Sequence, residues 1–125
     1  MTPSKIQLHK QSKRLELHFA QDVFQLDAEY LRVHSPSAEV KGHGPGQEVL
    51  QFGKQNVGIN GLAAVGNYAL KIEFDDGHDS GIYSWEYLHK LATQKQQLWQ
   101  QYLDKLKAAD KHRDIDVQTV KFIEL

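Results

Sequence analysis

A change of hydrophobic period along the chain is the feature that most limits the folds open to it. Apolar and polar residues alternate in several short segments, most regularly over residues 68–74, where every second residue is Tyr, Leu, Ile or Phe. This two-residue period predicts half-buried β-strands. From residue 88 onward the apolar residues recur at spacings of three, four and seven, as in an amphipathic helix. The pattern therefore predicts an α+β fold.

The strand signals predict one antiparallel sheet of about five to six strands. The segments expected to form it are 5–9, 14–19, 23–26, 59–65, 68–74 and 81–83, with a further short strand at 49–52. A short helix is expected after Asp27, because its carboxylate can accept the free amide hydrogens of a first helical turn. This helix should end before Pro36. Residues 41–56 contain four glycines, which predicts an extended surface loop.

One long amphipathic helix is expected over residues 85–109, with Ser84 as its N-cap. Its apolar stripe, which should lie on the sheet, consists of Leu88, Leu91, Leu98, Tyr102 and Leu106. The sequence beyond this helix is charged at first and then apolar, so it either adds a last strand or stays loose. We therefore predict one domain over residues 1–110 and a C-terminal tail over residues 111–125.

The composition argues against several kinds of function. None of the 125 residues is a cysteine, which removes disulfides, thiolate nucleophiles, thiolate zinc sites and cysteine-ligated iron–sulfur clusters. Lys and Arg number 15 against 16 Asp and Glu, a net charge of −1, so we expect no binding to nucleic acid or to membranes. No long apolar run or targeting segment is evident, which predicts a cytoplasmic location.

Histidines are the first candidates for metal chemistry. His34, His43 and His78 could form a site only if the fold joins distant segments, because no two of the 7 histidines have a His-x3-His spacing. Separate surface or structural histidines are the favoured interpretation. The acidic turn at 75–79 lacks the ligand pattern of an EF-hand, and the glycines at 42–46 lack that of a P-loop. No serine lies in a Gly-x-Ser-x-Gly motif.

Three segments taken together resemble a known family. They are Leu-Arg-Val-His-Ser-Pro-Ser-Ala-Glu-Val followed by Gly-His-Gly at 31–44, Val-Gly-Asn-Tyr-Ala at 65–69, and Phe-Asp-Asp-Gly-His-Asp-Ser-Gly-Ile-Tyr-Ser-Trp at 74–85. Their order and spacing are similar to those of small bacterial gamma-butyrobetaine hydroxylase-like N-terminal domain proteins, over residues 4–92. The family is named after a domain of two iron- and 2-oxoglutarate-dependent dioxygenases of carnitine biosynthesis. The same module is fused elsewhere to P-loop ATPases that carry iron–sulfur clusters.

The resemblance also implies a lost zinc site. In the dioxygenases this domain is not catalytic and binds a structural zinc ion through three cysteines and a histidine. The likeness places Ser35, Ser37 and Val40 at the cysteine positions and His78 at the histidine position. Hydroxyl and isopropyl groups cannot replace thiolates on zinc, so the resemblance implies no metal at this degenerate site. Packing and hydrogen bonds should hold the loop instead.

The resemblance implies a non-catalytic accessory or protein-interaction module, without a cofactor. Its partner would be a protein of unknown identity, linked to iron–sulfur cluster assembly or to 2-oxoglutarate dioxygenases. The surface expected to bind this partner consists of His43, Gly44, Asp76, His78 and Trp85. A histidine-based metal-binding protein is the alternative. An independent hydrolase or oxygenase has the least support, because no nucleophile, base and orienting group can be paired from the sequence. The oligomeric state does not follow from the sequence.

Overall fold

A computed structural model describes residues 1–117. Its elements follow one another as β1 (Lys5–His9), β2 (Arg14–Phe19), β3 (Asp22–Asp27), α1 (Ala28–Val33), α2 (Ala38–Lys41), β4 (Ile59–Val65), β5 (Ala69–Phe74), β6 (Ile82–Ser84), α3 (Trp85–Thr93) and α4 (Lys95–Ala108). The expectation that the apolar end of the chain adds a strand or stays loose concerns positions 118–125, which lie outside the described residues.

The six strands form two three-stranded antiparallel sheets, in the orders β1-β2-β3 and β4-β5-β6. The predicted antiparallel α+β fold is confirmed, but the prediction of a single sheet is wrong. Two short helices and a long loop separate β3 from β4, so the second set of strands begins a new hydrogen-bonded ladder. Each sheet buries one apolar face, and residues of both sheets meet in one core.

The main core joins both sheets to α1 and α3. In β2 every second residue is buried, which is why the two-residue period located this strand. Two buried hydroxyls cross the core: Tyr30 donates to the carbonyl of Leu91 and Tyr83 to the carbonyl of Leu31, each at 2.6 Å. Large side chains that are fully or almost fully buried include Leu15, Leu17, Phe19, Leu26, Ile72 and Leu88.

The start of α1 matches its predicted position but not its predicted interaction. Asp27 is the N-cap residue, yet its carboxylate accepts no amide hydrogen from the helix. The carboxylate instead accepts from Nε of Arg14 at 3.1 Å, because the two residues face each other across the β2–β3 pair. The next helix, α2, was not predicted. Ser37 caps it, and its Oγ accepts from the amide of Glu39 at 3.2 Å.

The strand predicted at residues 49–52 is wrong. The amide of Val49 donates to the carbonyl of Val40 in α2 at 2.8 Å, and the carbonyl of Gln51 accepts from the Tyr102 hydroxyl in α4 at 2.8 Å. The backbone of this segment therefore pairs with two helices and not with a sheet edge. Its apolar residues suggested a strand, but Leu50 packs against the cluster of Val33, Tyr102 and Leu106, and Val49 and Phe52 are exposed.

The single helix predicted over residues 85–109 is in fact two helices, α3 and α4. Gln94 separates them with a backbone φ of −108° and ψ of 22°, outside the usual α-helical values. The hydroxyl of Thr93 donates to the carbonyl of His89 at 2.9 Å just before the break. Such side-chain bonds compete with the backbone ladder and favour bending of a helix.

The break allows the two helices to pack on different parts of the domain. Ser84 caps α3 as predicted, with Oγ accepting from the amide of Tyr87 at 3.1 Å. The apolar side of α3 lies in the main core, whereas α4 buries Tyr102 and Leu106 against Val33 in a second, smaller cluster. The predicted apolar stripe is therefore buried, apart from Leu98, which is partly exposed. The stripe does not lie on one sheet, because its two halves pack in different clusters.

The segment after α4 returns to the loop before β4. The amide of Gly53 donates to the carbonyl of His112 at 2.8 Å. Arg113 makes two hydrogen bonds to the buried carboxylate of Glu29 in α1, at 2.7 and 2.8 Å, and lies 5.0 Å from the ring centre of Trp99. The division into a domain of residues 1–110 and a tail stays a prediction.

Candidate functional site

Three of the four positions aligned with a lost zinc site meet at the loop between β5 and β6. Ser35 and Ser37 lie on the connection between α1 and α2, Val40 lies in α2, and His78 lies in the loop between β5 and β6. All four residues are buried. The hydroxyls of Ser37 and Ser80 are 2.8 Å apart and join the same two segments. We call Ser35, Ser37, Val40 and His78, together with Glu39, the Ser35–His78 cluster.

His78 uses both ring nitrogens inside this cluster. Its Nε2 lies 2.8 Å from Oγ of Ser35, and its Nδ1 lies 3.2 Å from a carboxylate oxygen of Glu39. The amide of Ser37 also donates to Oγ of Ser35 at 3.3 Å. These bonds tie the α1–α2 connection to the β5–β6 loop, across 43 residues of sequence at the Ser35–His78 contact.

The protonation state of His78 follows from its surroundings. Burial lowers the pKa of His78, the nearby Arg32 guanidinium lowers it further, and Glu39 partly opposes both effects. The ring is therefore neutral near pH 7. Because a carboxylate can only accept, Nδ1 carries the hydrogen toward Glu39, and Nε2 accepts from the Ser35 hydroxyl.

Asp76 holds the same loop against α1. Its carboxylate accepts from Nε of Arg32 at 2.8 Å, from Nζ of Lys54 at 2.6 Å and from the amide of His78 at 3.1 Å. Burial alone raises the pKa of Asp76, but the bonds from Lys54, His78 and Arg32 outweigh it and lower the pKa to about 2. Arg32 is 7% exposed, and its buried Nη1 has no hydrogen-bond partner among the described residues.

Ser35, His78 and Glu39 have the connectivity of a Ser–His–acid triad, which sequence inspection missed. Neither the 4-residue nor the 43-residue separation matches a catalytic motif, and only the fold pairs these residues. A nucleophile must be reachable, however, and Ser35 is 0% exposed. A Cβ placed on Gly81 would come within 2.5 Å of Oγ of Ser35, so backbone closes that side. The arrangement is hydrogen-bonded like a triad, but its serine is buried.

The fold does not gather the five predicted binding residues on one surface. His43 is exposed and Gly44 partly exposed in the loop after α2. Both Asp76 and His78 are engaged in the contacts described above, and His78 is only 6% exposed.

Trp85 lies at the opposite end of β5 from the loop of His78. It begins α3, is 9% exposed, and its indole Nε1 donates to the carbonyl of Asn67 in the β4–β5 turn at 2.7 Å. That turn precedes Ala69 at one end of β5, whereas the loop of His78 follows Phe74 at the other end. Trp85 is therefore a core residue and not a neighbour of the His78 loop.

The loop of His43 has a narrow base that requires glycine. Gly42 has a φ of +73°, and a Cβ there would lie 2.2 Å from the carbonyl oxygen of Gln47. The amide of Gly42 donates to the carbonyl of Ala38 at 2.9 Å. Residues 43–47 thus project from a closely spaced base next to α2. We call residues 42–47 the Gly42–Gln47 loop.

The three histidines considered for a metal site are not brought into one group. Nδ1 of His34 donates to the carbonyl of Tyr30 at 2.8 Å, and both ring nitrogens of His78 are occupied within its cluster. His43 lies in the exposed loop. Within residues 1–117, no group of three or more His, Cys, Asp or Glu side chains is placed to hold a metal ion.

A cavity of about 540 Å³ lies beside the cluster, and Ser35 and Val40 belong to its wall. Residues 48–51, Tyr87 of α3, and α4 with Ala109 form the other walls. Because its walls come from five separate parts of the chain, no local motif indicates the cavity. Its apolar and aromatic lining includes Val33, Leu50, Tyr87, Leu98 and Tyr102, and its polar lining includes His34, Lys41, Glu48 and Lys105.

A known family matches the part of the chain that contains the cluster. The family model described as gamma-butyrobetaine hydroxylase-like, N-terminal matches residues 6–89. The chain belongs to this family. The gamma-butyrobetaine hydroxylase-like match includes the whole Ser35–His78 cluster and ends within α3, so α4 and its wall of the cavity lie beyond it.

Solved structures extend the likeness over the full domain. One protein solved by NMR in solution is 57% identical, with a TM-score of 0.84, and the match covers 98% of each chain. A second NMR structure is 45% identical with a TM-score of 0.76, covering 96% of this chain and 93% of that one. A crystal structure of a DUF971 family protein of unknown function from Acidithiobacillus ferrooxidans is 33% identical with a TM-score of 0.61. It covers 73% of this chain and 92% of that one.

Among curated proteins, none matches the chain. In the part of the chain that the structure describes, no helix combines the length and apolar character needed to cross a membrane. The expectations about nucleic acid, cellular compartment and partner stay predictions.

Proposed function

We propose that this protein is a non-catalytic accessory module that binds a protein partner through the Gly42–Gln47 loop. The observation that carries this proposal is the closed Ser35–His78 cluster, in which Ser35 is 0% exposed and both nitrogens of His78 serve the protein's own fold. Ser35 and His78 are residue types that can be catalytic, but here they hold in place the segment that leads to the Gly42–Gln47 loop. This favours a binding role over a catalytic one.

The loop has the features of a recognition element. It begins directly after α2, which Ser37 caps, and its base is fixed by the Gly42–Gln47 approach and by the bond from Val49 to Val40. Its tip exposes His43 without taking part in the core. Exposed loop side chains on a rigid base can contribute strongly to binding while contributing little to folding.

The class of partner comes from the family and not from the loop. The module occurs fused to P-loop ATPases that carry iron–sulfur clusters and to 2-oxoglutarate dioxygenases, so a stand-alone copy is proposed to bind a separate protein of one of these classes. A P-loop ATPase is the first candidate to test, because those fusions suggest a role in cluster assembly.

The test is a binding titration of the purified protein against a purified P-loop ATPase of this class. His43→Ala is expected to weaken binding at least fivefold while the melting temperature stays within about 1 °C, since an exposed loop side chain contributes little folding energy. Gln97→Ala, on an exposed face of α4, is the matched control and should bind like the original protein. Equal affinities for His43→Ala and Gln97→Ala would exclude this loop as the recognition surface.

A hydrolase is the second candidate, favoured only by the connectivity of Ser35, His78 and Glu39. A fluorophosphonate probe, which labels activated serines, separates the two functions. We expect no labelling, because Ser35 is fully buried. Labelling that disappears in Ser35→Ala would establish an open triad and overturn the non-catalytic proposal.

The histidine-based metal-binding alternative is tested by titration with Zn²⁺ and Ni²⁺. If His34, His43 and His78 formed a site, each single change to Ala would weaken metal binding to a similar degree. We expect no such dependence on His34 or His78, because Nδ1 of His34 and both ring nitrogens of His78 are hydrogen-bonded to other groups.

A further inference from the structure

We infer that the cavity between α1, α2, residues 48–51 and α4 binds a small amphipathic carboxylate, with its charged end at Lys41 and Lys105 and its apolar body against the aromatic and aliphatic wall. This inference goes beyond the protein partner proposed above and does not depend on it.

The size and lining of the cavity fit a small molecule. Its volume of about 540 Å³ lies within the range of roughly 300 to 1,000 Å³ that is usual for ligand sites. Aliphatic and aromatic side chains, such as Leu50, Leu98 and Tyr102, form much of the wall, and a small number of polar groups are grouped among them. A mainly apolar wall with few polar groups is typical of sites that hold an amphipathic ligand.

The two tyrosines of the wall offer ring surface more than hydrogen bonds. The Tyr87 hydroxyl donates to the carbonyl of His34 at 2.6 Å, and the Tyr102 hydroxyl donates to the carbonyl of Gln51 at 2.8 Å. Each hydroxyl hydrogen is therefore already committed to the backbone. Burial raises the pKa of both tyrosines to about 12, so neither adds negative charge to the cavity.

The charges of the cavity select an anion. Lys41 and Lys105 line it, and neither forms an ion pair with a carboxylate of residues 1–117. Nζ of Lys41 lies 4.5 Å from the ring centre of Tyr87, which holds this ammonium against an aromatic part of the wall. Glu48 is the acidic residue of the lining, so the two lysines give it a net positive charge.

His34 supplies a further polar atom. Its Nδ1 carries the hydrogen donated to the carbonyl of Tyr30 at 2.8 Å, which leaves Nε2 as an acceptor in the neutral ring. Burial lowers the pKa of His34, and the charges of Lys105 and Lys90 lower it further. His34 is therefore a neutral acceptor in the lining, and the two lysines are its cationic groups that can bind a carboxylate.

The experiment is an amide chemical-shift titration of the isolated protein with octanoate, and in parallel with octylammonium. We expect saturable shifts with octanoate at residues that line the cavity, such as Val40, Leu50 and Lys105. Octylammonium, which has the same apolar body and the opposite charge, should bind at least tenfold more weakly. Equal binding of the two ions, or octanoate shifts centred on exposed apolar residues such as Val23 and Ile82, would overturn the inference.

Matched variants test the roles of the charges without disturbing the core. Lys41→Gln and Lys105→Gln should each weaken octanoate binding about three- to tenfold. Lys107→Gln changes an exposed residue of α4, the helix of Lys105, outside the cavity wall, and should leave octanoate binding unchanged. Glu48→Gln removes the acidic residue of the lining and should tighten octanoate binding. If Lys107→Gln weakens binding as much as the other two lysine changes, the cavity is not the site.

Discussion

Oγ of Ser35 lies 2.8 Å from Nε2 of His78, and 43 residues of sequence separate the two. The family resemblance assigns both positions to a zinc site, one as a cysteine and the other as a histidine. In this chain the hydroxyl and the imidazole make a direct hydrogen bond at the same place. A neutral contact thus joins the two segments that a metal ion is implied to join in the dioxygenases.

We predict that restoring the thiolates restores zinc binding. The triple variant Ser35→Cys, Ser37→Cys and Val40→Cys should bind about one zinc ion per chain, because tetrahedral sites of three thiolates and one imidazole are stable structural sites. Elemental analysis and competition with a chelator measure the outcome. The original protein, purified without a tag, should carry no stoichiometric zinc.

The control for this prediction is His78→Ala in the triple-cysteine background. Removing the fourth ligand should weaken zinc binding by at least tenfold. Unchanged affinity would mean that His78 does not complete the site, and the alignment of this position would then be wrong.

The second prediction separates the structural histidine from the exposed one. His78→Ala should lower the free energy of unfolding by roughly 1 to 3 kcal/mol, because it leaves the buried Ser35 hydroxyl without its imidazole partner. His43→Ala should change it by no more than about 0.5 kcal/mol, since His43 is exposed. Urea unfolding of both variants measures the difference, and equal losses would contradict the assignment.

The third prediction concerns pH. The pKa values of His34 and His78 are lowered in the folded protein, mainly by burial, whereas the unfolded chain has the ordinary histidine pKa of about 6.5. At a pH below 6.5 the unfolded state therefore binds more protons, and protonation favours unfolding. The stability that depends on these two neutral histidines should be complete above about pH 7, and the free energy of unfolding should fall as the pH decreases toward 5.

The pH dependence is measured as the urea midpoint between pH 8 and pH 5. His78→Gln removes one of the buried groups that titrate and should flatten this dependence, whereas the exposed variant His43→Gln should retain it. Asp76 acts in a different range, because its pKa of about 2 makes its contribution disappear only in strong acid. Identical curves for His78→Gln and His43→Gln would contradict the assigned cause.

The fourth prediction tests the packing of α3. Leu91 is 1% exposed in the main core, so Leu91→Ala should cost roughly 2 to 5 kcal/mol of unfolding free energy. Leu98 is partly buried, so Leu98→Ala should reduce the unfolding free energy by less than Leu91→Ala. Gln94→Ala, at the exposed break between the helices, should cost under about 0.5 kcal/mol. A loss for Gln94→Ala as large as that for Leu91→Ala would show that the buried side was assigned wrongly.

Much of the fold follows from local patterns. β1 and β2 have their predicted bounds, the β4–β5 hairpin lies where the turn at Gly66 predicts it, and Ser84 caps α3. In each case the signal lies within a few neighbouring residues. The break at Gln94 was missed because Leu88 to Leu106 keep a continuous helical spacing across it, and the competing Thr93 bond is too weak a signal to locate in a sequence.

The candidate site could be predicted only in part. The resemblance aligned Ser35, Ser37 and His78, and the fold places these residues together. Glu39 as the partner of His78, and Arg32 and Lys54 as partners of Asp76, were not predicted. Ion pairs between distant segments leave no periodic pattern, since any charged side chain could serve.

The sequence by itself determined the approximate positions of the six strands, of α1 and of the start of α3, because backbone preferences and the burial of one face act over short distances. Only the tertiary structure decided that the strands divide into two sheets, that Trp85 is buried, and that a cavity lies between α4 and residues 48–51. These features depend on which of several apolar faces pack against one another. That choice is set by the shape and volume of side chains far apart in the sequence, so no local pattern carries it.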